Sequence, residues 1–149
     1  EVCSELGQYD CANFVHTVTL GGTGNAAYLQ GLVEPTAKTS VSTPLAVDRM
    51  VLSACEKRVD TDLADLGAAK LLQNVSIEAN GNLSDASVTA NITEQLYRRA
   101  VQRNATDEEK THMLELYQSF EADGEGEAAR GWAIMSCYAV FTSVEALFY

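Results

Sequence analysis

The segment from Thr106 to Glu109 constrains the fold of this chain more than any other short stretch. A threonine hydroxyl at the N-cap of a helix accepts a hydrogen bond from the backbone amide three residues on. A glutamate at that third position returns a bond to the N-cap amide. The acidic residues of the segment also suit the positive end of the helix dipole. It therefore predicts the start of a helix whose apolar face carries Met113, Leu116, Tyr117 and Phe120.

Further helix signals occur on both sides of this segment. Thr43 followed by Pro44 is an N-cap with proline at the first helical position, which predicts a helix over 44–60. A shorter helix is expected over 62–72, and another over 85–103 with Ser84 as its N-cap. Residues 127–147 are the most apolar and are predicted to form one core helix. A membrane span is not expected there, because Glu145 lies within the segment and no basic residue follows it.

The remaining segments are predicted to be irregular. Residues 1–42 contain a glycine cluster and Pro35. Residues 73–84 contain the turn dipeptide Asn80-Gly81 and are predicted to form a turn-rich connection, with a small hairpin as the alternative. The expected fold class is mostly α. We expect a compact, disulfide-stapled bundle of about four to five helices in a single domain over 1–149, with an irregular part at 1–42 and a helical core at 43–149.

The cysteine pattern indicates an oxidising compartment. The chain has four cysteines, at Cys3, Cys11, Cys55 and Cys137, and no C-x-x-C pair of the kind that zinc sites use. The spacing therefore favours two disulfides over free thiols or a metal site. Sequence alone allows three pairings. We expect a local Cys3–Cys11 bridge, and a Cys55–Cys137 bridge because both residues lie on apolar helix faces.

Charge and the N-terminal sequence bear on location and partners. The chain carries 10 basic and 21 acidic residues, so nucleic acid and anionic membranes are not expected as partners. It begins at Glu1, as a precursor would after removal of a signal peptide. Together with the predicted disulfides, this leads us to expect an extracytoplasmic protein, in the periplasm, on the cell surface or secreted.

Four asparagines occur in Asn-x-Ser/Thr triplets: Asn74, Asn82, Asn91 and Asn104. Such triplets are glycan acceptors in a eukaryotic secreted protein and carry no meaning in a bacterial one. Asn91 lies inside a predicted helix, and Asn104 serves as a helix stop. Asn74 and Asn82 are therefore the candidate glycosylation sites.

No catalytic, cofactor or metal site is predicted. His16 and His112 are the only histidines and lie in different elements. The loop that begins at Glu121 alternates acids like a calcium loop, but Trp132 stands where a bidentate glutamate is required. The glycine cluster at 21–24 lacks the lysine of a phosphate loop. We predict that the protein is not an enzyme, although a catalytic constellation assembled only in space would leave no such signature.

The second part of the chain resembles a known module. Its sequence runs Leu96-Tyr97-Arg98-Arg99-Ala100, then from Arg103 to Glu109, then ends Ser143-Val144-Glu145-Ala146-Leu147-Phe148-Tyr149. This is similar to a helical module of large exported planctomycete and myxobacterial proteins, cytochrome-associated domains of unknown function. Ala105 replaces a proline of that pattern, and Ala146-Leu147-Phe148 stands where a phenylalanine run is expected. The resemblance implies a bacterial extracytoplasmic protein near redox proteins, and it carries over no catalytic residue.

These features lead to one functional prediction and one alternative. The chain is predicted to be a non-enzymatic extracytoplasmic structural or accessory subunit. It would dock on a larger, redox-associated assembly through a protein partner or through self-assembly. The alternative is a small-ligand-binding helical module whose apolar cavity is lined by Trp132, Tyr138, Phe141 and Phe148. A small ligand is the less expected partner, because core packing also explains these aromatic residues.

Overall fold

The computed structural model describes residues 4–5, 9–10, 43–124 and 126–148. The chain divides into two units, Glu1–Lys57 and Arg58–Tyr149. Predictions that fall on Cys3, Cys11, His16 or the glycine cluster lie outside the described residues. The mostly helical fold class is confirmed, with five helices in the part of the chain that is described.

The described part of the first unit contains two short strands and most of one helix. Strand β1 (Ser4–Glu5) pairs antiparallel with β2 (Tyr9–Asp10). Helix α1 (Thr43–Ala64) begins where the threonine and proline predict it, and it continues beyond the expected end at residue 60. Its last two turns belong to the second unit, where Val59 is fully buried.

The prediction of a separate short helix over 62–72 is wrong. Helix α1 takes up its first residues, and only a single 3-10 turn, Leu66–Ala68, follows. The reason is the carboxylate of Asp62, which is fully buried and accepts hydrogen bonds from the backbone amides of Lys70, Leu71 and Leu72 at 2.6–3.1 Å. Amides that bind this carboxylate are not available to a helical ladder.

The predicted hairpin within 73–84 is present as one antiparallel bridge, between Ile77 and Leu83. The Glu78 amide donates to the Asn82 carbonyl at 2.8 Å and so closes the turn. Gly81 has φ +83°, and a Cβ at that position would lie 2.5 Å from the Glu127 backbone nitrogen. Glycine is therefore required here both by the positive φ and by the close approach of another segment.

Three longer helices form the body of the second unit: α2 (Val88–Ala100), α3 (Asp107–Asp123) and α4 (Ala128–Phe141). Each of the three packs against the other two. Their shared core contains buried side chains from every helix: Ile92, Leu96, Met113, Tyr117, Trp132 and Val140.

Trp132 lies at the centre of this core. Its indole Nε1 donates to the Met113 carbonyl at 2.8 Å, and its ring meets that of Tyr117 edge-on with 6.0 Å between centroids. The Tyr117 hydroxyl accepts a hydrogen bond from the Leu83 amide at 3.0 Å. The tyrosine therefore joins the helical core to the turn-rich segment before α2.

The sequence predicts one helix over 127–147, but the structure has two helices in this range. Helix α4 ends at Phe141, and the short α5 (Val144–Phe148) follows. The Thr142 hydroxyl donates back to the Tyr138 carbonyl at 2.8 Å, and the Ser143 hydroxyl accepts the Ala146 amide at 3.2 Å. Hydroxyl side chains compete with the helical ladder in this way, which explains the break. The helix predicted over 85–103 is likewise shorter, because its first residues form a turn on the Asp85 carboxylate.

Candidate functional site

The structure describes two of the four predicted disulfide cysteines. Cys55 and Cys137 are both disulfide-bonded, as the sequence predicts for each of them. Both side chains are buried. No helix within the described ranges has the length and apolar character that crossing a membrane requires.

The two candidate glycosylation sites differ in their surroundings. Asn74 is exposed and has φ +59°, a left-handed conformation that asparagine tolerates in turns. Asn82 is half-buried, and its Nδ2 lies 3.5 Å from the Glu121 Oε1 atom. Asn91 lies within α2, as predicted. Use of any of these asparagines as a glycan acceptor stays a prediction.

The acidic loop after α3 was the strongest calcium candidate in the sequence. Its first residue, Glu121, accepts hydrogen bonds through Oε1 from Asn82 and from the Tyr117 hydroxyl. Among the residues that the structure describes, no three His, Cys, Asp or Glu side chains come together as a metal site. His112 is exposed on α3.

A charged cluster that sequence reasoning missed surrounds Arg103. Its guanidinium makes five hydrogen bonds at 2.7–2.9 Å, two to Glu109, two to Glu145 and one to the Asn104 carbonyl. The guanidinium carbon also lies 4.8 Å from the centroid of the Tyr97 ring. We call Arg103, Glu109 and Glu145 the arginine clamp. It ties α5 to the start of α3.

The electrostatics of the arginine clamp follow from these contacts. Hydrogen bonds from Arg103, helped by the Thr106 amide, lower the pKa of Glu109 to about 2 against the opposing effect of burial. Hydrogen bonding to the same guanidinium lowers the pKa of Glu145. Burial raises the pKa of Tyr97, and the neighbouring Glu109 charge adds to this shift.

A cavity of about 500 Å³ lies beside the clamp, lined by Ala100, Val101, Gln102, Arg103 and Glu145. An arginine has five N–H groups, and all of those of Arg103 are already used by protein acceptors. A ligand carboxylate or phosphate in this cavity would have to displace Glu109 or Glu145. The clamp is therefore built to hold the fold and not to bind an anion.

After Arg130, the rest of helix α4 is unusual in having no charged residue on its surface. From Gly131 to Val144 the chain contains no Asp, Glu, Lys or Arg. Met135 is 40% exposed, Ala139 is exposed, and Tyr138 and Thr142 are partly exposed beside them. Steps of three and four residues place these four on one side of the helix. We call Met135, Tyr138, Ala139 and Thr142 the α4 outer stripe.

Val144, at the start of α5, extends the apolar character beyond the α4 outer stripe, since its side chain is 74% exposed. A helix on a protein surface normally carries polar or charged residues on its outer face. The α4 outer stripe carries no charged residue, although the formal net charge of the chain is −11.

The aromatic residues predicted to line a ligand cavity differ in how deeply they are buried. Trp132 is fully buried and hydrogen-bonded, so it is a core residue. Tyr138 and Phe141 are half-buried, and the side chain of Phe148 lies outside the description. Four surface cavities in the second unit have walls made by other residues.

Comparisons with known proteins add nothing to this description: no protein-family model, curated protein or solved structure matches the chain.

Proposed function

We propose that this protein is a non-enzymatic accessory subunit that docks on a larger extracytoplasmic assembly through the α4 outer stripe and Val144. The observation that carries the proposal is the absence of charge along residues 131–144, where Met135 and Val144 are exposed. Exposing Met135 and Val144 to water has a free-energy cost that burial against a partner would remove. Contiguous exposed apolar surface marks interaction sites in soluble proteins.

An extracytoplasmic location belongs to the same proposal. The disulfide-bonded state of Cys55 and Cys137 supports it, because disulfides persist in oxidising compartments and are rare where glutathione keeps thiols reduced. We further propose, from the resemblance of residues 91–149, that the assembly contains redox proteins. Peptide mapping of protein from its native source under non-reducing conditions tests the location. Free Cys55 and Cys137 thiols would contradict it.

Site-specific photo-crosslinking tests the docking surface. A photoreactive amino acid replaces Met135 on the α4 outer stripe, and a second protein carries it at Gln118, an exposed position on α3. We expect a discrete adduct from position 135 and none from position 118. Adding Ala139→Glu to the first protein should abolish the adduct, since it places a charge in the apolar contact.

Several results of this experiment would contradict the proposed docking surface. Equal adducts from both positions, or an adduct unaffected by Ala139→Glu, would mean that α4 is not the contact. Absence of any adduct from position 135 in cells that produce the protein would do the same. Thermal unfolding of Ala139→Glu serves as the folding control, because an exposed substitution should leave the melting temperature almost unchanged.

A further inference from the structure

The described part of the second unit offers oxidants one exposed sulfur atom, that of Met135. Its side chain is 40% exposed on α4, whereas Met113 of α3 is 8% exposed and belongs to the shared core. Cys137, which lies in the same unit, is disulfide-bonded and so has no thiol to oxidise. Because the oxidation of a sulfur side chain follows its exposure, Met135 is the residue of this unit that a small oxidant reaches first.

The first unit has no better target among its described residues. Met50 of α1 is only partly exposed, less so than Met135. Cys55 is disulfide-bonded, as Cys137 is. Thiolates are the side chains that oxidants normally attack first. Where the described cysteines are already disulfide-bonded, the exposed thioether of Met135 takes their place as the first target.

The reaction at a thioether needs no catalytic group, so access to the sulfur decides where it occurs. The sulfur lone pair attacks one oxygen of a hydroperoxide, an S–O bond forms, and the O–O bond breaks. Sulfur is oxidised by two electrons, and the peroxide is reduced. The proton of the transferred hydroxyl passes to the leaving oxygen, which departs as water or an alcohol. The product, methionine sulfoxide, is polar where the thioether was apolar.

The position of Met135 allows this change without unfolding of the chain. Its side chain is open to solvent, so a sulfoxide oxygen there stays hydrated. At Met113 the same oxygen would enter a core where the residue's own carbonyl already accepts the Trp132 indole. A buried polar atom without a partner destabilises a fold. Oxidation of Met135 therefore modifies the surface of a protein that remains folded.

The change has its effect at the α4 outer stripe. A partner that covers the stripe would bury the sulfoxide oxygen among groups that offer it no hydrogen bond. Ala139 has no donor in its side chain, and the Thr142 hydroxyl already donates to the Tyr138 carbonyl at 2.8 Å. We propose that Met135 is an oxidant-sensitive modification site whose conversion to the sulfoxide by hydroperoxides weakens docking through the stripe. This consequence rests on the docking function proposed above.

Peptide mapping of the peroxide-treated chain tests the site. The folded protein is exposed to millimolar hydrogen peroxide, and mass spectrometry follows the gain of one oxygen atom at each methionine. We expect Met135 to oxidise at least about tenfold faster than Met113, with Met50 between them, and the melting temperature to stay almost unchanged. In urea, where burial is lost, the rates should converge. Equal rates at Met113 and Met135 in the folded protein would overturn the proposal.

Photo-crosslinking tests the consequence for docking. A photoreactive phenylalanine derivative replaces Tyr138, which it resembles in shape, and Met135 stays in place. The protein is treated with peroxide, freed of it with catalase, and added to extracytoplasmic fractions of cells that produce the chain. We expect an adduct yield at least about tenfold lower than from untreated protein. Met135→Leu with the same probe is the matched control, because leucine has a similar volume and cannot be oxidised, so its adduct should survive the treatment.

The outcomes separate this proposal from the docking function. Undiminished adduct from protein fully oxidised at Met135 would overturn the proposal and leave the docking surface standing. Equal loss of adduct in Met135→Leu would assign the effect to another residue and would also overturn it. If untreated protein gives no adduct, the docking function fails and the proposed consequence fails with it, whereas the peptide map still identifies the oxidation site.

Discussion

Arg103 and Glu145 form a bidentate pair in which the Nε–Oε1 and Nη2–Oε2 distances are both 2.7 Å. The two residues are 42 positions apart in the chain, and Glu145 belongs to the short helix α5. A helix of five residues has little stability of its own. The position of α5 in the second unit therefore depends on this pair together with the Ser143 cap.

Removing the arginine should loosen α5. Arg103→Ala deletes hydrogen bonds to both glutamates, and we expect the free energy of unfolding to decrease by about 1–2 kcal/mol, since the pairs are partly exposed to solvent. Urea unfolding measures this change. Arg99→Ala, at an exposed arginine of α2, is the control and should change stability by less than about 0.5 kcal/mol. Equal effects of the two substitutions would show that the clamp contributes nothing specific.

Acid should weaken the same clamp. Arg103 holds the pKa of Glu109 at about 2 and lowers that of Glu145. Carboxyls whose pKa is lower in the folded chain stabilise it above their unfolded pKa, and this contribution disappears as the pH falls through the folded pKa. We expect the free energy of unfolding to decrease between about pH 5 and about pH 2. In Arg103→Gln the decrease over this pH range should be smaller, as measured by urea unfolding. Parallel pH profiles for the two proteins would contradict the assignment.

The start of α3 could be predicted from the sequence because all of its determinants lie within four residues. The Glu109 amide donates to the Thr106 hydroxyl at 3.2 Å, and the Thr106 amide donates to the Glu109 carboxylate at 2.7 Å. The start of α1 at Thr43 was predicted correctly for the same reason, because its signal also lies within a few adjacent residues. Such signals act through the backbone of one short segment, so no knowledge of the tertiary structure is needed.

The features that the sequence did not predict depend on contacts between distant residues. Residues 62–72 have a helical apolar period, but the Asp62 carboxylate binds amides eight to ten positions further on. The arginine clamp joins residues from three separate segments, for which no spacing rule exists. The cavity lined by Asn74 and Asn91 likewise forms only where the segment containing Asn74 meets α2. In each case composition gave the residue types, and only the packed chain brought them together.

Asp62 should be the most sensitive acidic position in the second unit. Burial opposes its ionisation, but three backbone amides and Arg58, at 2.6 Å, outweigh that effect and lower the pKa of its carboxyl. Asp62→Asn replaces an acceptor oxygen with an NH₂ group that faces those donors. We expect a loss of about 2–4 kcal/mol in urea unfolding. Asp65→Asn, at an exposed carboxylate that caps the 3-10 turn, should cost about 1 kcal/mol or less. A smaller effect at Asp62 than at Asp65 would be inconsistent with the buried network.

Tyr117 connects the turn before α2 to the core, and its hydroxyl can be removed with little change in shape. In Tyr117→Phe the Leu83 amide loses the acceptor that now lies 3.0 Å away. Because the site is buried, this amide has no water to replace the hydroxyl, and we expect a loss of about 1–3 kcal/mol. Hydrogen exchange at the Leu83 amide should become faster than exchange at core amides of α2, since the effect begins at the turn. Tyr138→Phe, at the half-buried tyrosine of the α4 outer stripe, is the matched control and should change stability by less than about 0.5 kcal/mol. If Leu83 exchange is unchanged in Tyr117→Phe, the hydroxyl does not hold the turn, and the edge-on contact of Tyr117 with Trp132 accounts for the burial of the tyrosine by itself.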